Sequence, residues 1–402
     1  MTVAATHPFM ARTQSVLREL HETGQHKSLQ TIQGPMGPTV RLREHGECLC
    51  FCSNNYLGLA NHPEVVEAAH EGLRTYGNGT SSVRFICGTF EPHEKLERRI
   101  AQYMDTEASY TFVSCWNANE AIFPTLCEPG DAIISDELNH ASIIDGIRLA
   151  TTIKKGIRKG VFRHSDMDDL RRVLITLKDD PDFTGVIWVV TDGVFSMEGD
   201  LALLPELRTI CDEFDALLIV DDSHAHGVMG KTGRGTHEHY DMPGSSIDFF
   251  TGTLGKGLGG AAGGFIAGPA DAMDMIVQRG RPTLFSNALP VPVACAADKA
   301  IEILMREPER VETLRSNTAY AREGIRKLGY EVIESPTAIC PIIVGETADA
   351  IAKSKRLLEM GVFVIGFGFP VVPEGTARLR VQISTAHTTE HLDALIDAIG
   401  RL

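Results

Sequence analysis

An α/β fold is predicted, with a mostly parallel sheet wrapped by helices and a smaller α+β unit following it in the chain. Three observations carry this. From Pro63 onward, segments with helical spacing of apolar residues alternate with short apolar runs, the pattern of βαβ units. The runs themselves, such as residues 185–191 and 217–221, are apolar on both faces, as strands covered by helices on each side must be. The chain has 402 residues and 43% apolar content, enough for one large core and one small one.

The elements follow in order. A helix is expected over about residues 8–25, with Met10, Val16, Leu17 and Leu20 on one face. Short strands near 39–43 and 47–52 complete an N-terminal piece, residues 1–60. A large domain over 61–290 holds helices near 63–76 and 92–104. Its strands fall near 108–113, 132–135, 185–191, 217–221, 249–253 and 264–267. A long helix runs from 291 through 306 and onward. Strands near 330–333, 340–344, 362–365 and 377–383 then alternate with helices to make a C-terminal domain, 291–402.

Bulk properties narrow the function. A net charge of −15 argues against an exposed nucleic-acid surface, so an anionic substrate must meet a local basic patch. No apolar run reaches the ~18 residues of a membrane span. The first residues lack the charged and apolar segments of a secretory leader, so a cytoplasmic protein is expected. The nine cysteines are scattered. Cys48, Cys50 and Cys52 alternate onto one strand face without partner histidines at ligand spacing, so core cysteines are expected and no metal.

The chemistry centres on Ile247-Asp-Phe-Phe-Thr-Gly-Thr-Leu-Gly-Lys-Gly-Leu-Gly-Gly260, a strand that empties into glycines around Lys256. Glycines let the backbone turn sharply and leave room beside the lysine for something flat or phosphorylated. A crowded, desolvated lysine loses proton affinity and becomes a nucleophile. Thr253 offers a hydroxyl to a phosphate. Upstream, Ala216-Leu-Leu-Ile-Val-Asp-Asp-Ser-His224 puts acids at the C-terminal end of a buried parallel strand, the end that faces the ligand crevice in open α/β sheets. A carboxylate there can keep a pyridinium nitrogen protonated, as pyridoxal 5'-phosphate (PLP) requires.

Other pieces are suited by position. Ser114-Cys-Trp-Asn-Ala-Asn119 opens a helix after a strand, where backbone N–H groups can hold a phosphate. His140 follows a strand end and could stack on a cofactor ring. Ser196 is the best donor in the polar loop after strand 185–191. Arg378 and Arg380 share one face of a strand, where a guanidinium can clamp a carboxylate. Gly255-Lys-Gly-Leu-Gly-Gly260 also fits G-x-G-x-x-G, which keeps open a nucleotide-dependent oxidoreductase. The acid such a fingerprint needs would fall at Asp271 or Asp274, in a helical stretch. A non-enzymatic scaffold is the third reading.

In sequence order, Ser53-Asn-Asn-Tyr-Leu-Gly-Leu59, Asn139-His-Ala-Ser142, Asp192-Gly-Val-Phe-Ser-Met197, Asp221-Asp-Ser-His224 and Thr251-Gly-Thr-Leu-Gly-Lys256 resemble the α-oxoamine synthases. The resemblance spans roughly residues 10–400. Within that family the chain is most similar to the 2-amino-3-ketobutyrate CoA ligase (glycine C-acetyltransferase) group, through Ser82-Val-Arg-Phe-Ile-Cys-Gly-Thr89, Asn139-His-Ala-Ser-Ile-Ile-Asp-Gly-Ile-Arg148, Leu284-Phe-Ser-Asn287 and Phe369-Pro-Val-Val-Pro373. The resemblance implies the PLP-dependent transferase fold type I, with a mostly parallel seven-stranded sheet in the large domain. It implies Lys256 as the covalent attachment point and mover of the α-proton, Asp221 at the pyridine nitrogen, His224 at the phenolic oxygen, His140 stacked on the ring and Ser196 supporting it. Cys115 and Trp116 amides with Thr253 would hold the phosphate, and Ser286 would reach the phosphate of a neighbouring subunit, making a homodimer with shared sites. Asn54 and Arg380 would bind the amino-acid carboxylate. Trp116, Asn117 and His226 depart from the group's Phe, Asp and Val, at positions expected beside the ring.

The implied reaction joins glycine to acetyl-CoA and releases 2-amino-3-oxobutanoate and CoA. Sister activities are 8-amino-7-oxononanoate synthase, 5-aminolevulinate synthase, serine palmitoyltransferase or a secondary-metabolism synthase.

Overall fold

The computed structural model describes residues 7–23 and 25–402. The start of the chain, read above for a leader, and the helix's passage through Gly24 lie outside the described residues. The first helix is Pro8–Glu22, started by Pro8 and by His7, whose side chain accepts from the Phe9 amide. It has no buried residue; Phe9, Val16 and Leu17 are all exposed.

Strands β1 (Thr39–Leu42) and β2 (Gly46–Cys50) form an antiparallel hairpin. Cys48 and Cys50 pack with Val40 and Leu42 in a small apolar cluster, while Cys52 lies beyond the strand.

The main sheet has seven strands: β3 (Ala108–Phe112), β4 (Ala132–Asp136), β5 (Arg158–Phe162), β6 (Ile187–Asp192), β7 (Ala216–Asp221), β8 (Phe249–Thr253) and β9 (Gly264–Gly268). Their order is β3-β9-β8-β7-β6-β4-β5, and only β9 runs antiparallel to its neighbours. All residues of β4 and β6 are buried, because helices cover both faces. One face packs with Leu96, Tyr103, Phe250, Phe265 and Ile301, the other with Ile122, Phe123, Ile147, Ile219 and Phe249. The sequence reading missed β5. It is an edge strand, Arg-Lys-Gly-Val-Phe, with its outer positions exposed or half-buried, so it lacks an apolar run and carries the charges that keep edges from pairing with other chains.

The C-terminal part departs from expectation at three points. The long helix ends at Arg306, and a second, Glu309–Lys327, restarts at Pro308, which cannot continue a ladder. Residues 330–333 contribute only a single bridge, Val332 to Ile342, squeezed between a turn at Gly329 (φ +88°) and Pro336. The strand expected over 362–365 divides. β11 (Val362–Phe363) pairs parallel with β2, whereas β12 (Ile365–Phe367) joins β10 (Ile339–Gly345) and β13 (Ala377–Gln382) in the order β10-β13-β12. Buried Val364 is the pivot between the two sheets.

A second core joins these strands to Phe51, Tyr56, Val194, Ala225 and Met229. Backbone bonds from Gln382 to Phe51 and from Thr385 to Tyr56 fasten the segment carrying Asn54 between the two sheets. The crevice at the C-terminal ends of β4, β6, β7 and β8 is thereby walled by the smaller domain.

Candidate active site

Parallel pairing brings Asp192 and Asp221 side by side at the ends of β6 and β7. Asn139 fixes the neighbouring strand end. Its amide donates to Ser135 Oγ (2.9 Å) and the Val190 carbonyl (2.8 Å), and its oxygen accepts from the Asp192 amide (2.7 Å). His140 is thereby set at the rim of the crevice.

Lys256 stands on the loop after β8, half-buried and outside every ion pair formed among the described residues. Gly257 has to be glycine, since a Cβ there would sit 2.6 Å from the His226 carbonyl. Burial draws the Lys256 amine below the usual lysine range, against the opposing pull of Asp221 and Cys115. A lysine so held is closer to the neutral nucleophile that attacks an aldehyde.

The adjacent acids Asp221 and Asp222 point to opposite sides of the strand. Asp222 accepts from Thr236 Oγ1 (2.6 Å) and from its amide (2.8 Å), deep in the core, and burial raises its carboxyl to about 7. Asp221 faces Lys256. Burial works against its charge, but donation from Ser223 N (3.0 Å) and Asn119 Nδ2 (2.7 Å), with the Lys256 charge, holds it below the usual carboxylate range. An ionised carboxylate beside a lysine of lowered proton affinity is the arrangement a pyridinium cofactor needs.

His224 is buried, and its Nδ1 lies 2.9 Å from the Tyr56 hydroxyl; burial and then the Lys256 charge keep it neutral. His140 caps the helix Ala141–Ile153, and Trp116 approaches it edge-on at 6.0 Å. Ser196 is half-buried in the turn after β6. Thr253 ends β8 and donates to the Gly263 carbonyl (3.2 Å). Ser114 caps the helix Cys115–Leu126, leaving the Cys115 and Trp116 amides outside the helical ladder. The Cys115 thiol reaches Asp221 Oδ2 at 3.6 Å and is raised well above the usual range by burial and then by that carboxylate. Asn54 accepts from Tyr56 Oη at 3.5 Å.

Arg380 is buried, and its Nε and Nη2 have no hydrogen-bond partner among the described residues. Burial disfavours its charge, while Tyr56, Glu198 and Cys52 favour it. Arg378, on the same face, is already spent on the Met197 carbonyl (2.9 Å) and Glu198 (3.2 Å). A carboxylate would complete the Arg380 fork, and a buried cation left incomplete is costly. Lys256, Asp221, the neutral histidines and this open fork fit PLP and an amino-acid substrate.

Ser286 lines a narrow cleft with Arg84, Tyr110, Thr111 and Asn117. Residues 222–226 form a helical turn, with both the Ala225 and His226 amides bonded to the Asp222 carbonyl, so His224 and His226 diverge. His226 is buried between Tyr103 and Phe265, and burial pushes it down to about 3. Asn119, Ser142, Tyr56 and Asp192 were quoted within motifs but given no role, because their contacts come from other elements.

The chain matches the family Aminotransferase class I and II over residues 46–399. It is 42% identical over 386 residues to the 8-amino-7-oxononanoate synthase of Thermoanaerobacter pseudethanolicus, covering 96% of this chain and 95% of that one. It is 41% identical over 390 residues to the human mitochondrial 2-amino-3-ketobutyrate coenzyme A ligase, covering 96% and 91%. Among solved structures, Sphingomonas wittichii serine palmitoyltransferase superposes with a TM-score of 0.89 at 27% identity, covering 100% of this chain and 98% of that one. A structure of SPT with its PLP internal aldimine also superposes at 0.89, with 28% identity and 97% and 96% coverage. The chain belongs to the class I and II aminotransferase family and, within it, to the α-oxoamine synthases, with PLP as its cofactor.

Proposed function

We propose that this enzyme condenses glycine with acetyl-CoA to give 2-amino-3-oxobutanoate and CoA. The open fork of Arg380 carries the reading, because it supplies a buried, incomplete carboxylate site on the side of Lys256. When bound, PLP acts as an electron sink for the α-carbon of an attached amino acid. Lys256 is the attachment point and, once displaced by the substrate amine, takes the α-proton on Nζ. Asp221 would hold the ring nitrogen protonated, His224 would bond the phenolic oxygen and His140 would lie against the ring. Ser196 supports the ring, and Thr253 with the Cys115 and Trp116 amides holds the phosphate. Arg380, helped by Asn54, would grip the carboxylate and so orient the α-carbon for loss of its proton to Lys256. The α-carbon then attacks the thioester carbonyl, and CoA leaves.

The motifs quoted above for the ligase group and the 41% identity to the human ligase support glycine and acetyl-CoA. Trp116 beside His140 narrows the room for an α-substituent. The second reading is an 8-amino-7-oxononanoate synthase, favoured by bacterial relatives at 42% identity. Turnover with a panel of amino acids and acyl thioesters separates them. Overpacking a tight site costs ~1–3 kcal/mol, so kcat/KM for glycine is expected about tenfold or more above alanine and serine. Acetyl-CoA should lead longer acyl chains. A preference for alanine with a dicarboxylic acyl-CoA would establish the second reading instead. The working unit is proposed to be a cytoplasmic homodimer, with Ser286 reaching the partner's phosphate site.

A further inference from the structure

We infer that Asn119 is a positioning residue whose single side-chain amide sets both the Asp221 carboxylate and the His140 ring. The inference rests on the reading that PLP lies between those two groups.

Asn119 Nδ2 carries two hydrogens, and each has a buried acceptor: Asp221 Oδ2 at 2.7 Å and Ser142 Oγ at 2.9 Å. Ser142, having accepted there, keeps its own hydrogen for His140 Nδ1, 2.8 Å away. The Ser142 backbone amide also donates to that nitrogen at 3.3 Å. Two donors converge on Nδ1, so it accepts and the ring's proton resides on Nε2. The acceptor-only carboxylate dictates which end of the Asn119 amide faces it, and the Ser142 backbone amide dictates that His140 Nδ1 accepts.

The scaffold holds Asn119 rigidly. It is 1% exposed, one turn after Cys115 on the helix Cys115–Leu126. Ser142 opens the neighbouring helix, and the two approach so closely at Gly146 that a Cβ there would lie 2.4 Å from the Asn119 carbonyl. The charged and titratable groups around the network are Asp221, Lys256, Asp192 and Cys115. Deleting the amide leaves a desolvated carboxylate short of a donor, which favours its protonation. A protonated Asp221 no longer holds the proton on the ring nitrogen. Deletion also frees the Ser142 hydroxyl to rotate, so one of the two donors that fix the His140 tautomer is no longer held in place.

The test compares Asn119→Ala, the isosteric Asn119→Asp and Ser142→Ala, each as the full chain, with and without PLP. In cofactor-free protein, NMR of labelled histidine should show the His140 midpoint rising by about half a pH unit or more in Ser142→Ala, which removes a donor to Nδ1, and departing from its wild-type value in Asn119→Ala, where the Ser142 hydroxyl is no longer held. In the holoenzyme, the pH titration of the cofactor's visible absorbance should shift in Asn119→Ala and stay in place in Ser142→Ala. Loss of a hydrogen bond to a buried charge predicts kcat for Asn119→Ala about tenfold or more below wild type, with KM for the amino acid changed less. Asn119→Asp, which sets a second carboxylate against Asp221, should show the larger change and serves if the alanine protein does not fold. Wild-type titrations of both His140 and the cofactor in a folded Asn119 variant would overturn the inference. A wild-type protein that takes up no PLP would instead defeat the functional reading, while the histidine titration still tests the chain of donors.

Discussion

At the scale of single residues, function divides between two adjacent acids. Asp221 and Asp222 have the same chemistry and almost the same burial, yet one faces Lys256 and the other is consumed by Thr236. Asp221→Asn should remove the electrostatic partner of the ring nitrogen and lower kcat by ~3 kcal/mol or more in transition-state terms. Asp222→Asn should act mainly on stability. Steady-state kinetics and thermal melts check both, and a milder kinetic loss at Asp221 than at Asp222 would reverse the assignment. Lys256 and Asp221 were legible because each announces itself locally, one by glycines and the other by its place at a strand end. Arg380's open fork and Asn119's double donation were not, because whether a buried polar group is satisfied depends on residues far away in the chain.

At the scale of elements, the loop bearing Ser196 is held by a clamp. His164, just after β5, donates through one ring nitrogen to Asp136 at the end of β4 (3.1 Å) and through the other to Asp200 (2.7 Å), with Phe195 against its ring. Burial opposes its charge, but the hydrogen bonds to both carboxylates overcome this and raise it to about 10. A raised folded value means the clamp's stability is fully present below the ordinary histidine range near 6.5 and is lost as pH climbs through about 10. His164→Gln should therefore lower stability by ~2 kcal/mol at pH 6, as expected for bonds to charged groups, and the deficit should shrink toward pH 10. A pH-independent deficit in melts would contradict the clamp. Neither this clamp nor β5 was visible in the sequence, since a short edge strand that opens on two basic residues and lacks an apolar run looks like a loop until its partner is known. The buried strands β6, β7 and β8 were plain, because their apolar runs stop where the crevice begins.

At the scale of the whole molecule, one group of exposed apolar side chains lies beside Ser286. Phe85 (61% exposed), Ile86 (66%) and Phe285 (75%) project from two short helices, Arg84–Cys87 and Arg281–Phe285, beside the cleft that holds Ser286. The proposed homodimer would cover such a surface, which soluble monomers seldom display. Phe285→Asp should weaken association in sedimentation velocity and reduce activity in step with the monomer fraction; full activity in a verified monomer would count against shared sites. Everything in the crevice nonetheless converges on the Lys256 amine. Borohydride reduction of the PLP-loaded protein, followed by digestion and mass spectrometry, reads that point directly. A pyridoxyl group on the peptide containing Lys256, absent in Lys256→Ala, is the expected result; cofactor trapped on a different lysine, or on none, would contradict it.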